Sequence, residues 1–183
     1  MNQKLKTSLA FAKNLLVTGA ISETSRQVEI DICKHVSKED HKVIVEFGMG
    51  HGNITQEILN TISPTSKLYA FEVKESFCDH VRKHIIDDRL VIVNDGAQNL
   101  KKHIKENVNT VISSIPFSFF SKEKGLAIIQ DAYDLLENNA YYSQVLYTKF
   151  NFKKFQQIFE ACEMTSNKNF ITEYIYHCRK VRN

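Results

Sequence analysis

The sequence predicts an α/β fold in which a mostly parallel sheet is covered by helices on both faces. Short apolar segments rich in β-branched residues alternate with segments of helical periodicity along most of the 183 residues. This alternation is typical of parallel sheets, because the crossover between parallel strands is usually a helix. Only six glycines and two prolines occur, and no repeat or linker is visible. One domain over residues 1–183 is therefore expected, with helices in residues 1–40 and the sheet-containing core in residues 41–183.

The elements of this fold can be placed in order along the chain. The predicted strands are Lys42–Phe47, Lys67–Phe71, Leu90–Asn94, Thr110–Ser113 and Tyr141–Tyr147. Apolar residues at helical spacing mark the helices at Ile54–Ile62, Phe77–Ile85, Lys122–Glu137 and Phe152–Glu160. A terminal strand over Asn169–Cys178 completes the order, and we expect it to form an antiparallel hairpin.

Two further helices are expected before the first strand. Met1–Val17 is amphipathic and carries three lysines but no acid. Such a helix either packs on the core with its lysines in water or lies on an anionic membrane surface. The second helix should begin near Ser22 or Thr24. Its buried positions are predicted to be Val28, Ile32 and Val36.

Composition narrows the class of protein. The net charge of +3 and the pI near 8.6 neither require nor exclude a polyanionic partner. Four scattered cysteines form no C-x-x-C pair, so neither a zinc site nor a disulfide framework is predicted. No apolar run approaches the ~20 residues of a membrane-spanning helix. We expect a cytoplasmic protein with reduced thiols and without a metal.

A glycine-rich turn is the strongest local signal. The first strand ends in Glu46, and Gly48, Gly50, His51 and Gly52 lead into the next helix. Glycines permit a tight turn and a close approach of the backbone to a ligand. An acid at the strand end repels phosphate and suits a ligand with an ammonium group, such as the methionine part of S-adenosylmethionine. These residues are therefore predicted to bind that cofactor.

Two more acids follow the next two strands. Glu72 is placed to accept hydrogen bonds from both ribose hydroxyls, and Asp95 to meet the adenine amino group. Each alone could be an ordinary solvated loop acid, but three acidic strand ends in register with the glycine turn favour a nucleoside site. The predicted cofactor site also takes in their neighbours. These are Val73, Gly96, Ala97 and Ser113.

These residues together resemble the class I S-adenosylmethionine-dependent methyltransferases over nearly the whole chain. The resemblance consists of Glu46 with its three glycines, Glu72, Asp95 with Gly96, and the Ser-Ser-Ile-Pro-Phe turn at Ser113–Phe117. It implies a Rossmann-like fold with a mostly parallel seven-stranded sheet, helices on both faces and an N-terminal helical extension. It also implies S-adenosylmethionine as cofactor.

Two families within that superfamily compete. The Ser113–Phe117 turn is similar to the Asn-Leu-Pro-Tyr turn of ribosomal RNA adenine dimethyltransferases, and closer to the Ser-x-Leu-Pro turn of bacterial phospholipid N-methyltransferases. Val17–Arg26 resembles the Gly-Ala-Ile-x-Pro-x-Ser-Arg segment of the second family, and Gln144 with Tyr147 its Gln-x-x-Tyr. The lipid family is favoured, because the RNA enzymes carry an additional helical domain and a net charge of +3 is low for holding RNA.

The resemblance to the lipid enzymes implies methylation of an amine head group such as that of phosphatidylethanolamine. Ser114, Pro116 and Tyr147 are the predicted catalytic residues, and Tyr142 and His51 are further candidates for taking up the amine proton. The N-terminal helix would hold the protein against the anionic inner face of the membrane. An RNA adenine enzyme, a methyltransferase for another aminolipid or a small amine, and a non-catalytic cofactor-binding protein remain alternatives. The oligomeric state stays open.

Overall fold

The protein contains a seven-stranded sheet in residues 25–168 and 172–181, the part of the chain that its computed structural model describes. The strands are β1 Val43–Phe47, β2 Lys67–Phe71, β3 Leu90–Val93, β4 Val108–Ser113, β5 Leu136–Leu146, β6 Ala161–Lys168 and β7 Thr172–Arg179. Their order is β3-β2-β1-β4-β5-β7-β6. The first five are parallel, whereas β7 runs antiparallel to both β5 and β6. The predicted fold class is confirmed.

Helices cover both faces of this sheet, as predicted. They are α1 Arg26–Ile32, α2 Asn53–Thr61, α3 Glu75–His84, α4 Leu100–His103, α5 Lys122–Leu135 and α6 Phe152–Gln156. On one face, here the α1 face, Val28 and Ile58 pack with Ile44 of β1. On the other, here the α5 face, Ile129 and Phe155 pack with alternate strand residues. The alternation of β1 between the two cores explains why all five of its residues are buried.

The fifth strand and its surroundings differ from the prediction. β5 begins at Leu136, immediately after α5, and not near Tyr141. The pairing of Leu136 with Val108 is followed by a register shift, and Asn139 has a positive φ of 66°. Asparagine is disfavoured in strands, so the sequence hides this irregular beginning. The helix predicted to reach Glu160 ends at Gln156, and β6 forms the expected hairpin with β7.

Part of the predicted N-terminal region can be placed. Val28, Ile32 and Val36 are buried, as predicted, and α1 begins at Arg26. The helix predicted over Met1–Val17 and its successor's start at Ser22 or Thr24 lie outside the described residues. None of the described helices has the length and apolar character that crossing a membrane requires.

Candidate active site

The predicted site residues come from loops at one edge of the sheet. β1 has β2 on one side and β4 on the other, so the connections leaving β1 and β4 separate at their carboxyl ends. Ligands of open α/β sheets bind in the crevice at this switch point. The turn at Gly48–Gly52, the acids Glu72 and Asp95, and the turn at Ser114–Phe117 follow these parallel strands directly. The edge therefore gathers most of the predicted cofactor and acceptor residues.

The three glycines of the first turn meet three different requirements. All have positive φ, 82° at Gly48, 54° at Gly50 and 92° at Gly52. A Cβ on Gly48 would lie 3.0 Å from the Ser114 hydroxyl, and one on Gly52 would lie 2.8 Å from Ile85 of the α3 region. A Cβ on Gly50 would meet nothing within 4 Å. Gly50 therefore borders open space at the crevice, whereas the other two allow close packing inside the protein.

Glu46 is a buried carboxylate that is only half satisfied. Its side chain is 1% exposed, and Thr55 on α2 donates a hydrogen bond of 2.7 Å to Oε2. Oε1 is buried and accepts no hydrogen bond from the described residues. Burial, with a contribution from the negative charge of Glu72, raises the pKa of Glu46 to about 7. A cationic donor is the partner that this carboxylate lacks, and the ammonium group of S-adenosylmethionine meets that need.

Glu72 is held in place by backbone donors. The Gly50 amide donates to Oε2 at 3.0 Å, and the Lys74 amide donates to Oε1 at 2.9 Å. Each oxygen keeps a further lone pair, so the carboxylate can still accept from a pair of ribose hydroxyls. Val73 beside it is 70% exposed, which is unusual for valine and leaves an apolar surface at the rim of the crevice.

Asp95 lies two residues beyond the end of β3, close to its predicted place, but is engaged by its own chain. Oδ1 accepts from the Gly96 amide and from Asn99, both at 2.7 Å, and Oδ2 contacts His103 at 2.8 Å. The hydrogen bonds from His103 and Asn99, in that order, lower the pKa of Asp95 to about 2. Asp95 thus fixes the turn that contains Ala97. An adenine amino group would have to share these oxygens.

The turn after β4 (Ser114–Phe117, here the acceptor turn) is hydrogen-bonded to the glycine turn and to β5. The Ser114 hydroxyl donates to the Gly48 carbonyl at 2.7 Å, and Gln144 donates to the Ile115 carbonyl at 3.1 Å. The Pro116 carbonyl accepts from the Phe119 amide at 3.0 Å. The Ser114 carbonyl, in contrast, accepts no hydrogen bond from any residue that the structure describes. As far as the described residues are concerned, this carbonyl can accept a hydrogen bond from a ligand beside the glycine turn.

The remaining candidates are spread over different environments. Tyr147 is half-buried on the α1 face just beyond β5, and burial, with the charge of Glu173, raises its pKa to about 12. Tyr142 is fully buried in the opposite core beside Phe155, and Ser113 is fully buried within the sheet. His51 is exposed and packs edge-on against Phe77, with ring centroids 4.6 Å apart. Of these four, Ser113 immediately precedes the Ser114–Phe117 turn, and the Tyr142 hydroxyl donates at 3.3 Å to Gln144, the residue that holds this turn.

Two polar residues of this edge escaped the sequence reasoning. Thr55 is fully buried on α2, where it orients Glu46, and Glu173 is buried near the start of β7. The sequence does carry a signal for Glu173, because Glu173, Ile175 and His177 alternate along β7 on one face of the sheet and all three are buried. An acid at an inward position of an apolar strand is a candidate for function.

The chain resembles one curated enzyme over almost its full length. It is 21% identical over 182 residues to ornithine lipid N-methyltransferase of Singulisphaera acidiphila, covering 94% of this chain and 93% of that protein. No family model matches the chain. In the described residues, no group of three or more histidine, cysteine or acidic side chains is arranged to hold a metal ion.

Solved structures share the architecture at low sequence identity. An rRNA methylase from Streptococcus thermophilus has a TM-score of 0.65 at 17% identity, and the comparison covers 88% of this chain and 99% of that one. A putative methyltransferase from Streptococcus mutans in complex with SAH has a TM-score of 0.65 at 16% identity, and the comparison covers 87% of this chain and 99% of that one.

A SAM-dependent O-methyltransferase from Thermotoga maritima has a TM-score of 0.71 at 15% identity, covering 92% of this chain and 71% of that one. The chain has the class I methyltransferase fold. The predicted recognition is thereby confirmed at the level of the fold; of these similar proteins, one is named as SAM-dependent and another was solved with SAH. The geometry of Glu46, Gly50 and Glu72 fits that cofactor.

Proposed function

We propose that this protein transfers a methyl group from S-adenosylmethionine to the amine head group of a membrane lipid. The observation that carries the proposal is the buried, half-satisfied Glu46 at the foot of the glycine turn. A cationic donor would satisfy its buried Oε1, and Gly50 leaves open space above the turn for the ligand. A pyrophosphate would be repelled at this position.

The cofactor supplies an electrophilic methyl group on a sulfonium, and the chain's own residues supply alignment. Glu46 would hold the ammonium end of the cofactor and Glu72 its ribose hydroxyls. On the acceptor side, the free Ser114 carbonyl would accept a hydrogen bond from the incoming amine and direct its lone pair at the methyl carbon. Gln144 keeps the turn in place by its hydrogen bond to Ile115.

The role of Tyr147 follows from its protonation state. A pKa of about 12 leaves its phenol neutral at physiological pH, so it acts as a hydrogen-bonding group and not as a base. The amine would then lose its proton to water before the transfer. Tyr147 would orient the head group, whereas Tyr142 belongs to the core.

The lipid acceptor is supported by two independent features. The amphipathic sequence of Met1–Val17 has three lysines and no acid, and each lysine near an anionic surface contributes roughly 1 kcal/mol. The resemblance to ornithine lipid N-methyltransferase spans nearly the whole chain. Peripheral attachment to the inner face of a membrane is part of the same proposal, and either an ornithine lipid or phosphatidylethanolamine satisfies it.

A labelling experiment tests this function. Purified protein is incubated with radiolabelled S-adenosylmethionine and with anionic vesicles that contain phosphatidylethanolamine or an ornithine lipid, or with ribosomal RNA. We expect label in a lipid, lost on deletion of residues 1–17 although the cofactor still binds. Glu46→Gln is the matched control and should abolish labelling by weakening cofactor binding. Label in RNA alone would refute the lipid acceptor.

A further inference from the structure

A further buried acid lies at the carboxyl edge, apart from the acids proposed to bind the cofactor. Glu173 is 6% exposed and is the second residue of β7. The antiparallel register pairs Leu146 of β5 with Tyr174, so the next step of the same register places Tyr147 opposite Glu173. Residues opposite each other across an antiparallel pair project from the same face. Glu173 and Tyr147 are therefore neighbours on the α1 face.

The same face carries Glu46 farther along the sheet edge. Glu46 alternates with Ile44 along β1, and Glu173 alternates with Ile175 along β7; both isoleucines belong to the α1-face core. Between β1 and β7 lie β4 and β5, with the acceptor turn following β4. Glu46 therefore lies on the strand next to β4, whereas Glu173 lies two strands from β4 on the other side, with β5 between them.

Glu173 has no cationic partner among the described residues. Its one hydrogen bond there is a long one, 3.4 Å from the Ser25 hydroxyl. The nearby Arg26 is engaged by Glu29 at 3.2 Å and by Glu57 at 2.5 Å. Burial raises the pKa of Glu173, in keeping with a carboxylate that has no counterion in residues 25–168 and 172–181. Folding such a group into the protein is unfavourable unless a ligand later supplies the positive charge.

We propose that Glu173 and Tyr147 form the binding site for the cationic amine of the acceptor, a positioning site that selects ammonium-bearing head groups. This inference rests on the proposed function and extends it to the recognition of the substrate. The carboxylate attracts the ammonium of the incoming head group before the amine loses its proton to water, and the Tyr147 hydroxyl gives the head group a second contact. A methylated amine keeps its positive charge at neutral pH, so the site continues to hold the head group after one transfer. A neutral hydroxyl acceptor can form a hydrogen bond but no ion pair with the carboxylate.

The test compares Glu173→Gln with Glu29→Gln, a control at an acid that is equally buried but paired with Arg26. Initial rates are measured on anionic vesicles with increasing fractions of phosphatidylethanolamine, and S-adenosylhomocysteine binding is measured by calorimetry. We expect Glu173→Gln to raise the apparent KM for the lipid at least tenfold, with cofactor affinity unchanged within twofold. Glu173→Asp should recover part of the loss, and Glu29→Gln should resemble the wild type.

Each contrary result has a distinct meaning. If Glu173→Gln and Tyr147→Phe both keep the wild-type KM for the lipid, the inference is wrong although the proposed function stands. If lipid KM, cofactor affinity and melting temperature all deteriorate together, Glu173 is a structural residue and the inference is again wrong. If the wild type itself methylates no lipid amine, the proposed function fails and takes this inference with it.

Discussion

Replacing Glu46 by glutamine should stabilise the free protein at alkaline pH while weakening its cofactor binding. The carboxylate is fully buried, and its pKa moves from an ordinary 4.5 to about 7. Because the folded-state pKa lies above the unfolded one, Glu46 favours folding in acid and opposes it as pH rises from about 4.5 through 7. A shift of one pKa unit corresponds to about 1.4 kcal/mol of free energy, so the ionised Glu46 destabilises the folded state by about 3 kcal/mol above pH 7.

Glutamine removes this ionisation and can keep the hydrogen bond from Thr55, since its side-chain oxygen is an acceptor. We expect the difference in unfolding free energy between Glu46→Gln and the wild type to grow by about 2 kcal/mol from pH 5 to pH 8.5. Urea denaturation at each pH measures it. Taking the difference between the two proteins cancels the titration of groups that both contain.

Binding should change in the opposite direction. Removing one partner of a buried charge pair costs about 2–5 kcal/mol, so Glu46→Gln should bind S-adenosylhomocysteine at least ~30-fold more weakly at pH 8. Wild-type affinity should fall below pH 7, because the cationic ligand must then displace a proton from Glu46, and the variant should lose this dependence. A variant that is no more stable at pH 8.5, or that binds as tightly as the wild type, would refute our account of Glu46.

Three further predictions follow from the same structure. Gly52 has a φ of 92°, and a Cβ there would lie 2.8 Å from a neighbouring side chain, so Gly52→Ala should lower the unfolding free energy by about 1–3 kcal/mol in thermal unfolding. Gly50→Ala should lower the unfolding free energy by only ~1 kcal/mol but weaken cofactor binding, as measured by calorimetry. Burial lowers the pKa of His177 to about 4, so this group should lower the unfolding free energy as pH falls from about 6.5 towards 4. Its contribution is at most about 1.4 kcal/mol per pH unit. His177→Asn should remove this contribution from the pH dependence of the unfolding free energy, measured by urea denaturation. Gln144→Ala should lower kcat, because the acceptor turn loses its anchor, and leave S-adenosylhomocysteine affinity within twofold of the wild type; an equal loss of both would contradict this assignment.

The cofactor half of the molecule could be predicted from the sequence because its signals are local. Gly48, Gly50 and Gly52 report positive φ angles, and an acid directly after an apolar strand marks the carboxyl edge of a parallel sheet. Both features are fixed by a few consecutive residues. The structure places Glu46 and Glu72 where that reasoning expected them.

The acceptor half depends on contacts between distant residues, which the sequence does not display. The neighbourhood of Tyr147 and Glu173 arises from the register between β5 and β7, and the irregular start of β5 hides that register from a periodicity argument. The engagement of Asp95 by His103 requires the α4 helix, which the sequence analysis did not predict. For a residue such as Tyr142, whose candidate role rests on its sequence position alone, only the three-dimensional structure distinguishes a place in the core from a place in the site.

The two buried acids on the α1 face also explain why a stable fold would retain unfavourable charges. Glu46 lies one strand from β4 and Glu173 two strands from it on the other side, each without a cation from the described residues, and burial raises the pKa of both. Hydrophobic residues would serve folding better at such positions. On the proposed function, each acid instead favours a ligand that brings a positive charge, one being the cofactor and the other the acceptor amine. Because the two carboxylates lie on opposite sides of β4, the two ligands would not compete for one carboxylate.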